Sequence, residues 1–137
     1  MTINDDVLIV DDDPIAQSIY KSYFASIGIH RTHSAMTGKQ GLQLLNSEAA
    51  GVGLIILDIH MPEMDGIECL RHLHTLKYDG HLVIGSSAHR ADTQSAQKLA
   101  LLYGLNLLGF ISKPLTKRKL EQVLSPEQAS EPSQLAS

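Results

Sequence analysis

The sequence has few residues of several types, and each shortage excludes a class of protein. It contains one cysteine, Cys69, which excludes an internal disulfide and a Cys-x-x-Cys zinc site. It has no tryptophan and only 4% aromatic residues, so its core must be mainly aliphatic. It carries 11 Lys and Arg against 15 Asp and Glu. The resulting net charge of −4 disfavours direct binding of nucleic acid.

Long hydrophobic runs are lacking as well. No apolar stretch approaches the ~20 residues that a membrane-spanning helix needs. Residues 1–6 lack the basic and apolar regions of a signal peptide. We therefore expect a cytoplasmic protein without membrane association, whose 137 residues form one domain.

Short apolar runs separated by helical patterns organise the chain. The runs lie at residues 7–10, 53–58, 81–84 and 107–112, and a more polar segment at residues 29–35 predicts a weaker strand at the edge of the sheet. Such runs are typical of strands buried on both faces of a parallel sheet. We predict a doubly wound α/β fold over residues 4–124, with a five-stranded parallel sheet and five helices. Residues 125–137, rich in Ser and Pro, predict a flexible tail or linker.

The first helix can be placed from its caps and its periodicity. Asp13 is a suitable N-cap, and Pro14 suits the first helical position. Gly28 is expected to end the helix. Four apolar residues recur at every fourth position and predict the face that packs on the core: Ile15, Ile19, Tyr23 and Ile27.

Acidic side chains follow two of the predicted strands. Asp11 and Asp12 come after the first strand, and Asp58 ends the third. Open α/β sheets bind ligands at the carboxyl ends of their strands, so these carboxylates should lie together. Clustered carboxylates repel one another, and a divalent cation relieves the repulsion. Hard oxygen ligands favour Mg²⁺ over zinc or copper.

The same edge of the sheet has the groups needed for phosphoryl transfer. An aspartate carboxylate can attack phosphorus to form an acyl phosphate. Lys113 and Ser87, which follow two further strands, can neutralise charge on a phosphoryl group and donate hydrogen bonds to it.

These motifs resemble those of response-regulator receiver domains of two-component signalling, a CheY-like superfamily with a flavodoxin-like fold. The matching segments are Val10-Asp11-Asp12, Asp58 within Leu-Asp-Ile-His-Met-Pro-Glu-Met-Asp-Gly, Ser87-Ala88, and Phe110-Ile111-Ser112-Lys113-Pro114. They occur in the family's order and cover about residues 4–124. The long run around Asp58 is highly specific.

The resemblance implies a role for each matching residue. Asp58 would accept a phosphoryl group from a histidine kinase or a phosphotransfer protein. Asp12, Asp58 and the backbone carbonyl of His60 would bind Mg²⁺, and Asp11 would hold a metal-bound water. Lys113 would pair with the phosphoryl group or with Asp58, across a cis Lys113–Pro114 bond. Such a receiver catalyses its own phosphorylation and dephosphorylation, with no conventional substrate turnover.

The resemblance also implies a switch and an output surface. Ser87 would move toward the phosphoryl group, and Phe110 would change rotamer with it. The fourth helix, last strand and last helix would then contact a partner or form a homodimer. The cationic run Lys117-Arg118-Lys119 is a solvated patch, a contact for an acidic partner or part of an intersubunit ion-pair network. A lengthened segment between Ser87 and Lys113 is similar to receivers attached to EAL-type cyclic diguanylate phosphodiesterases. We expect the chain to be either a stand-alone receiver or a fragment cut inside a linker.

Two histidines depart from the common pattern of the family. His60 follows Asp58 by two residues, and His89 follows Ser87 by two. We hypothesise that they control the lifetime of the phosphoryl group in a pH-dependent way, since histidine titrates near neutrality. The alternative is that both face solvent and are inert.

Two further functions remain open at this stage. Asp11 and Asp13 also fit the start of a haloacid-dehalogenase-like phosphohydrolase with Asp11 as nucleophile, although that family usually needs a longer chain. A receiver fold that acts by docking, without phosphorylation, is the other alternative.

Overall fold

The apolar runs of the sequence form the central sheet of the molecule. The computed structural model describes residues 6–47, 51–60, 66–86 and 90–124. Their strands and helices alternate along the chain as β1 (Asp6–Val10), α1 (Pro14–Ser26), β2 (Thr32–Ala35), α2 (Gly38–Ser47), β3 (Val52–Asp58), α3 (Gly66–Thr75), β4 (His81–Ser86), α4 (Arg90–Leu102), β5 (Asn106–Ser112) and α5 (Lys117–Leu124).

All neighbouring strands are parallel, in the order β2-β1-β3-β4-β5. The predicted doubly wound α/β fold is therefore confirmed. No helix of the described residues is long and apolar enough to cross a membrane.

Side-chain alternation along the strands divides the core between two faces of the sheet. On one face, Leu8, Ile55 and Leu82 pack with side chains of α3 and α4. On the other face, Ile9, Ile56, Val83 and Ile111 pack with α1 and α5. Because successive residues of a strand point to opposite faces, the face on which each strand-end residue emerges follows from this packing.

The caps of α1 are as predicted. The Asp13 side chain accepts a hydrogen bond of 2.9 Å from the Ile15 N–H, and Pro14 is the first helical residue. At the other end, Gly28 has φ of 87°, a left-handed conformation that glycine adopts without strain. Its N–H donates to the Ala25 carbonyl at 3.1 Å, which closes the helix.

The predicted core face of α1 was only partly right. Ile15 is 69% exposed and Ile27 is 36% exposed. A spacing of four drifts about 40° per step around a helix of 3.6 residues per turn, so the four apolar residues do not share one face. Of the predicted residues, Tyr23 is buried and Ile19 packs partly buried against the core. The other buried residues of α1 are Ala16, Gln17, Tyr20 and Phe24.

Candidate functional site

The acidic residues meet where β1 and β3 end. Asp58 is the last residue of β3, and Asp11 directly follows β1, the adjacent strand. Ile9 and Ile56 face α1 and α5, so the alternation along each strand turns Asp11 and Asp58 toward that same face. The strand order thus brings together two carboxylates that are far apart in sequence.

The cluster has one exposed and two buried members. Asp11 and Asp58 are 1% and 3% exposed, whereas Asp12 is open to solvent. One carboxylate oxygen from each of the three lies within 4.8 Å of the others. These are hard oxygen donors with an open side, a set that fits Mg²⁺ with several retained waters.

Lys113 lies between the two buried carboxylates. Its Nζ atom is 3.0 Å from an Asp11 oxygen and 3.2 Å from an Asp58 oxygen. Burial by itself lowers the pKa of Lys113. The hydrogen bond to Asp11 and the negative charges of Asp58 and Asp11 outweigh burial, and the net pKa is raised. The lysine is therefore firmly cationic and holds together two groups that otherwise repel.

Backbone N–H groups orient both carboxylates. The Asp13 N–H donates to Asp11 Oδ1 at 2.9 Å, and the His60 N–H donates to Asp58 Oδ1 at 2.9 Å. Burial nevertheless raises the pKa of Asp11, because it outweighs the lowering by the Asp13 N–H and by Lys113. A buried carboxylate of this kind is stabilised further by any cation that reaches it.

The loop that carries Lys113 is held on both sides. The Lys113–Pro114 bond is cis, as the family resemblance implies, and the Lys113 N–H donates to the Ser86 carbonyl at 2.9 Å. Lys119 Nζ donates to the carbonyls of Ser112 and Pro114 at 3.1 and 2.8 Å. Lys119 is therefore hydrogen-bonded within its own chain. Two residues earlier, the Lys117 Nζ atom lies 3.9 Å from Glu121 Oε1.

Gln17 supports the site and was missed by sequence reasoning. Its side chain is buried, and Nε2 lies 3.0, 3.0 and 3.1 Å from the carbonyls of Ile9, Asp11 and Ala35. It therefore ties α1 to the ends of β1 and β2, where Asp11 emerges. The only sequence signal for Gln17 is a single amide side chain on the apolar side of the helix. Sequence periodicity alone does not show that such a side chain is buried or what it binds.

The remaining predicted residues differ in what the structure describes. Ser87 and His89 lie outside the described residues. The His60 side chain is exposed, and Phe110 on β5 is half-buried against the core on the α3 and α4 face. Their proposed roles in switching and in phosphoryl lifetime stay predictions.

The fold agrees with comparisons to known proteins. The family model of the response regulator receiver domain matches residues 7–125. The chain belongs to this family.

Relatives place the chain among two-component proteins. It is 33% identical over 119 residues to a two-component response regulator of Arabidopsis thaliana, covering 87% of this chain and 80% of the relative. It is 30% identical over 120 residues to the transcriptional regulatory protein DcuR of Shigella flexneri, covering 87% of this chain but only 48% of the relative. The chain thus spans about half the length of that regulator.

A solved structure shows the same architecture. It is a complex of CheX and CheY with BeF3 and Mg²⁺ from Borrelia burgdorferi. The similarity has a TM-score of 0.76 at 28% identity and covers 89% of this chain and 87% of that one.

Proposed function

We propose that the chain is a phosphorylation switch of the cytoplasm, in which a histidine kinase or a phosphotransfer protein donates a phosphoryl group to Asp58 in the presence of Mg²⁺. The observation that carries this proposal is the geometry of three carboxylates and one lysine. Asp11, Asp12 and Asp58 converge within 4.8 Å, and Lys113 lies between the two buried members. The similar complex from Borrelia burgdorferi, which contains Mg²⁺ and BeF3, supports the same interpretation.

Each residue contributes one part of the transfer. An Asp58 oxygen attacks phosphorus as the bond from phosphorus to the donor's nitrogen or oxygen breaks, which yields an acyl phosphate. Bound Mg²⁺, held by Asp12 and Asp58 with the His60 carbonyl, and by Asp11 across a water, would offset the charge of the phosphoryl oxygens. Lys113 supplies the second positive charge, and the His60 N–H fixes the Asp58 rotamer.

Phosphorylation then shifts the population of two conformations. The phosphoryl group adds negative charge beside Lys113, and we propose that Ser87 donates to it while Phe110 turns inward. Ser87 directly follows β4 and Phe110 lies within β5, and these two strands pair along their length. The resulting change reaches α4, β5 and α5, the surface that we propose for a partner or a homodimer.

The same surface carries features that suit a protein contact. Leu101 and Leu102, near the end of α4, are 64% and 77% exposed. The expected fusion to an EAL-type phosphodiesterase stays a prediction.

Intact-mass spectrometry tests the central step. The protein is incubated with Mg²⁺ and a small acyl-phosphate donor, beside Asp58→Asn and the matched surface variant Asp79→Asn. We expect one phosphoryl adduct in the wild type and in Asp79→Asn, and none in Asp58→Asn or with a chelator. No adduct in a folded, Mg²⁺-binding wild type would instead favour a docking receiver or strict dependence on its own kinase. Turnover of a phosphate ester without a label on Asp58 would favour the phosphohydrolase.

The histidine hypothesis has its own test. The variants His60→Asn and His89→Arg are combined, and the decay of the phosphorylated protein is followed at several pH values. We expect an altered decay rate and a flatter pH profile. An unchanged rate and profile would contradict any role of these two side chains in phosphoryl lifetime.

A further inference from the structure

One buried hydroxyl close to the acidic site has no assigned role. Tyr20 of α1 is fully buried, and its hydroxyl oxygen has no hydrogen-bond partner among the described residues. Buried hydroxyls are nearly always hydrogen-bonded, and a tyrosine can both donate and accept. A fully buried tyrosine in an aliphatic core therefore suggests that the hydroxyl itself is used.

A glycine provides the space for this hydroxyl. A Cβ atom added to Gly85 on β4 would lie 3.2 Å from the Tyr20 hydroxyl oxygen, so any side chain at Gly85 would crowd it. Gly85 is the register partner of Asp58 on the adjacent strand. The hydroxyl thus ends beside the strand position that carries the proposed phosphoacceptor.

The alternation of the strands places the same groups on one face. Val83, two residues before Gly85, packs with Tyr20 on the α1 and α5 face, so the open position at Gly85 is on that face too. Asp58 and Asp11 emerge there as well. Burial, and then the charges of Asp11 and Asp58, raise the pKa of Tyr20, which keeps the hydroxyl protonated and able to donate.

We propose that Tyr20 is a positioning residue for the acidic site: its hydroxyl donates a hydrogen bond across one water to the Asp11–Asp58 carboxylate pair, and Gly85 leaves the room for it. This bond restrains the two carboxylates on the side that faces the core. Asp12 and solvent lie on the opposite side of the pair. Groups that hydrogen-bond to metal ligands orient them, and their loss commonly weakens metal binding by about 10- to 100-fold. The inference rests on the proposed Mg²⁺ site.

A purely structural role makes a different prediction. If Tyr20 only fills the volume beside Gly85, its ring is sufficient and the hydroxyl is dispensable. Tyr20→Phe keeps the ring and removes only the hydroxyl, so it separates the two roles. Tyr23→Phe is the matched control, because Tyr23 lies one turn further along α1 in a groove between α1 and α5.

Calorimetric titration with Mg²⁺ compares the wild type with both variants. We expect Tyr20→Phe to bind Mg²⁺ about 10-fold more weakly, with Tyr23→Phe unchanged. Equal affinity of Tyr20→Phe and the wild type would overturn the proposal while leaving the metal site intact. Failure of the wild type itself to bind Mg²⁺ would overturn the proposed metal site instead.

A second measurement tests the hydrogen bond without metal. Tyrosine labelled with ¹³C at Cζ reports on the hydroxyl of each ring by NMR in the metal-free protein. We expect the Tyr20 resonance to shift in Asp58→Asn and in Asp11→Asn, and the Tyr23 resonance to stay in place. A Tyr20 resonance that moves in neither variant would overturn the hydrogen bond, whatever the outcome of the Mg²⁺ titration.

Discussion

Replacing Lys113 with methionine should expose the electrostatic cost of the acidic site. Methionine keeps most of the aliphatic stem but removes the cation that lies 3.0 Å from Asp11 and 3.2 Å from Asp58. Removing one partner of a buried ion pair costs about 3–5 kcal/mol. Proton uptake limits this cost, because holding one carboxyl of ordinary pKa 3.8 protonated near neutral pH costs about 4 kcal/mol. We expect the free energy of unfolding to fall by about 3–4 kcal/mol.

The loss should depend on pH in a known direction. Without Lys113, the pKa of Asp11 is raised further, because the lysine no longer opposes the effect of burial. A carboxyl with a raised folded pKa lowers the stability of the protein as the pH rises. The free energy needed to hold one carboxyl protonated, which limits the loss, falls to about 2 kcal/mol near pH ~5, since each pH unit is worth about 1.4 kcal/mol. The difference in free energy of unfolding between Lys113→Met and the wild type should therefore narrow by about 2 kcal/mol on acidification. Mg²⁺ should narrow it too, because it supplies the missing positive charge.

Urea unfolding followed by far-ultraviolet circular dichroism measures the gap. Both proteins are unfolded at neutral and at mildly acidic pH, in chelator and in Mg²⁺. Lys98→Met, on the exposed side of α4, controls for the change of residue type. A loss in Lys113→Met that is the same at both pH values and is untouched by Mg²⁺ would refute the reasoning, since it would indicate lost packing of the stem instead of carboxylate repulsion.

Three further perturbations test how the loops around the site and the Lys113 ion pair are held. A Cβ atom at Gly66 would lie 2.4 Å from the Cα of Ile59, so Gly66→Ala must displace the start of α3 or Ile59, the residue after Asp58. We expect a loss of about 1–3 kcal/mol in urea unfolding and weaker Mg²⁺ binding, and an unaltered protein would contradict the close packing. Lys119→Met removes two hydrogen bonds to loop carbonyls and should cost about 1 kcal/mol, whereas Arg118→Met, its exposed neighbour, should be nearly neutral. Equal losses of stability in Lys119→Met and Arg118→Met would argue that the Lys119 hydrogen bonds do not hold this loop. Because the folded pKa of Lys113 is raised, its contribution is present below the ordinary value of 10.5 and is lost as the pH rises through the folded value. Wild type and Lys113→Met should therefore converge in stability at strongly alkaline pH, and a constant gap would contradict the shift.

Most of the fold could be predicted because its determinants are local. Short apolar runs, the Asp13 cap and Gly28 each depend on a few neighbouring residues, and the structure places a strand or a helix end at each. The second strand is shorter than expected, beginning at Thr32 instead of residue 29, because the pairing with β1 extends only over Thr32–Ala35. Pairing partners of this kind lie far away in sequence.

The buried face of α1 was beyond sequence reasoning. The isoleucines suggested one face, but the sheet covers another, on which Gln17 and Tyr20 lie. A polar side chain can be buried there because strand-end carbonyls accept its hydrogen bonds, and a tyrosine fits because Gly85 lacks a side chain. Neither compensation is visible until the helix and the strands are assembled.

The sequence by itself determined which groups are available: carboxylates at two strand ends, a lysine at a third, and neither a cysteine pair nor an excess of basic residues to suggest other chemistry. The sequence also predicted that they share one edge of the sheet, but only the tertiary structure decided that the lysine contacts both buried carboxylates. Lys113 is 102 residues from Asp11 and 55 from Asp58, yet it contacts both. The physical reason is the strand order, since β1 and β3 lie side by side and every strand of a parallel sheet ends at the same edge.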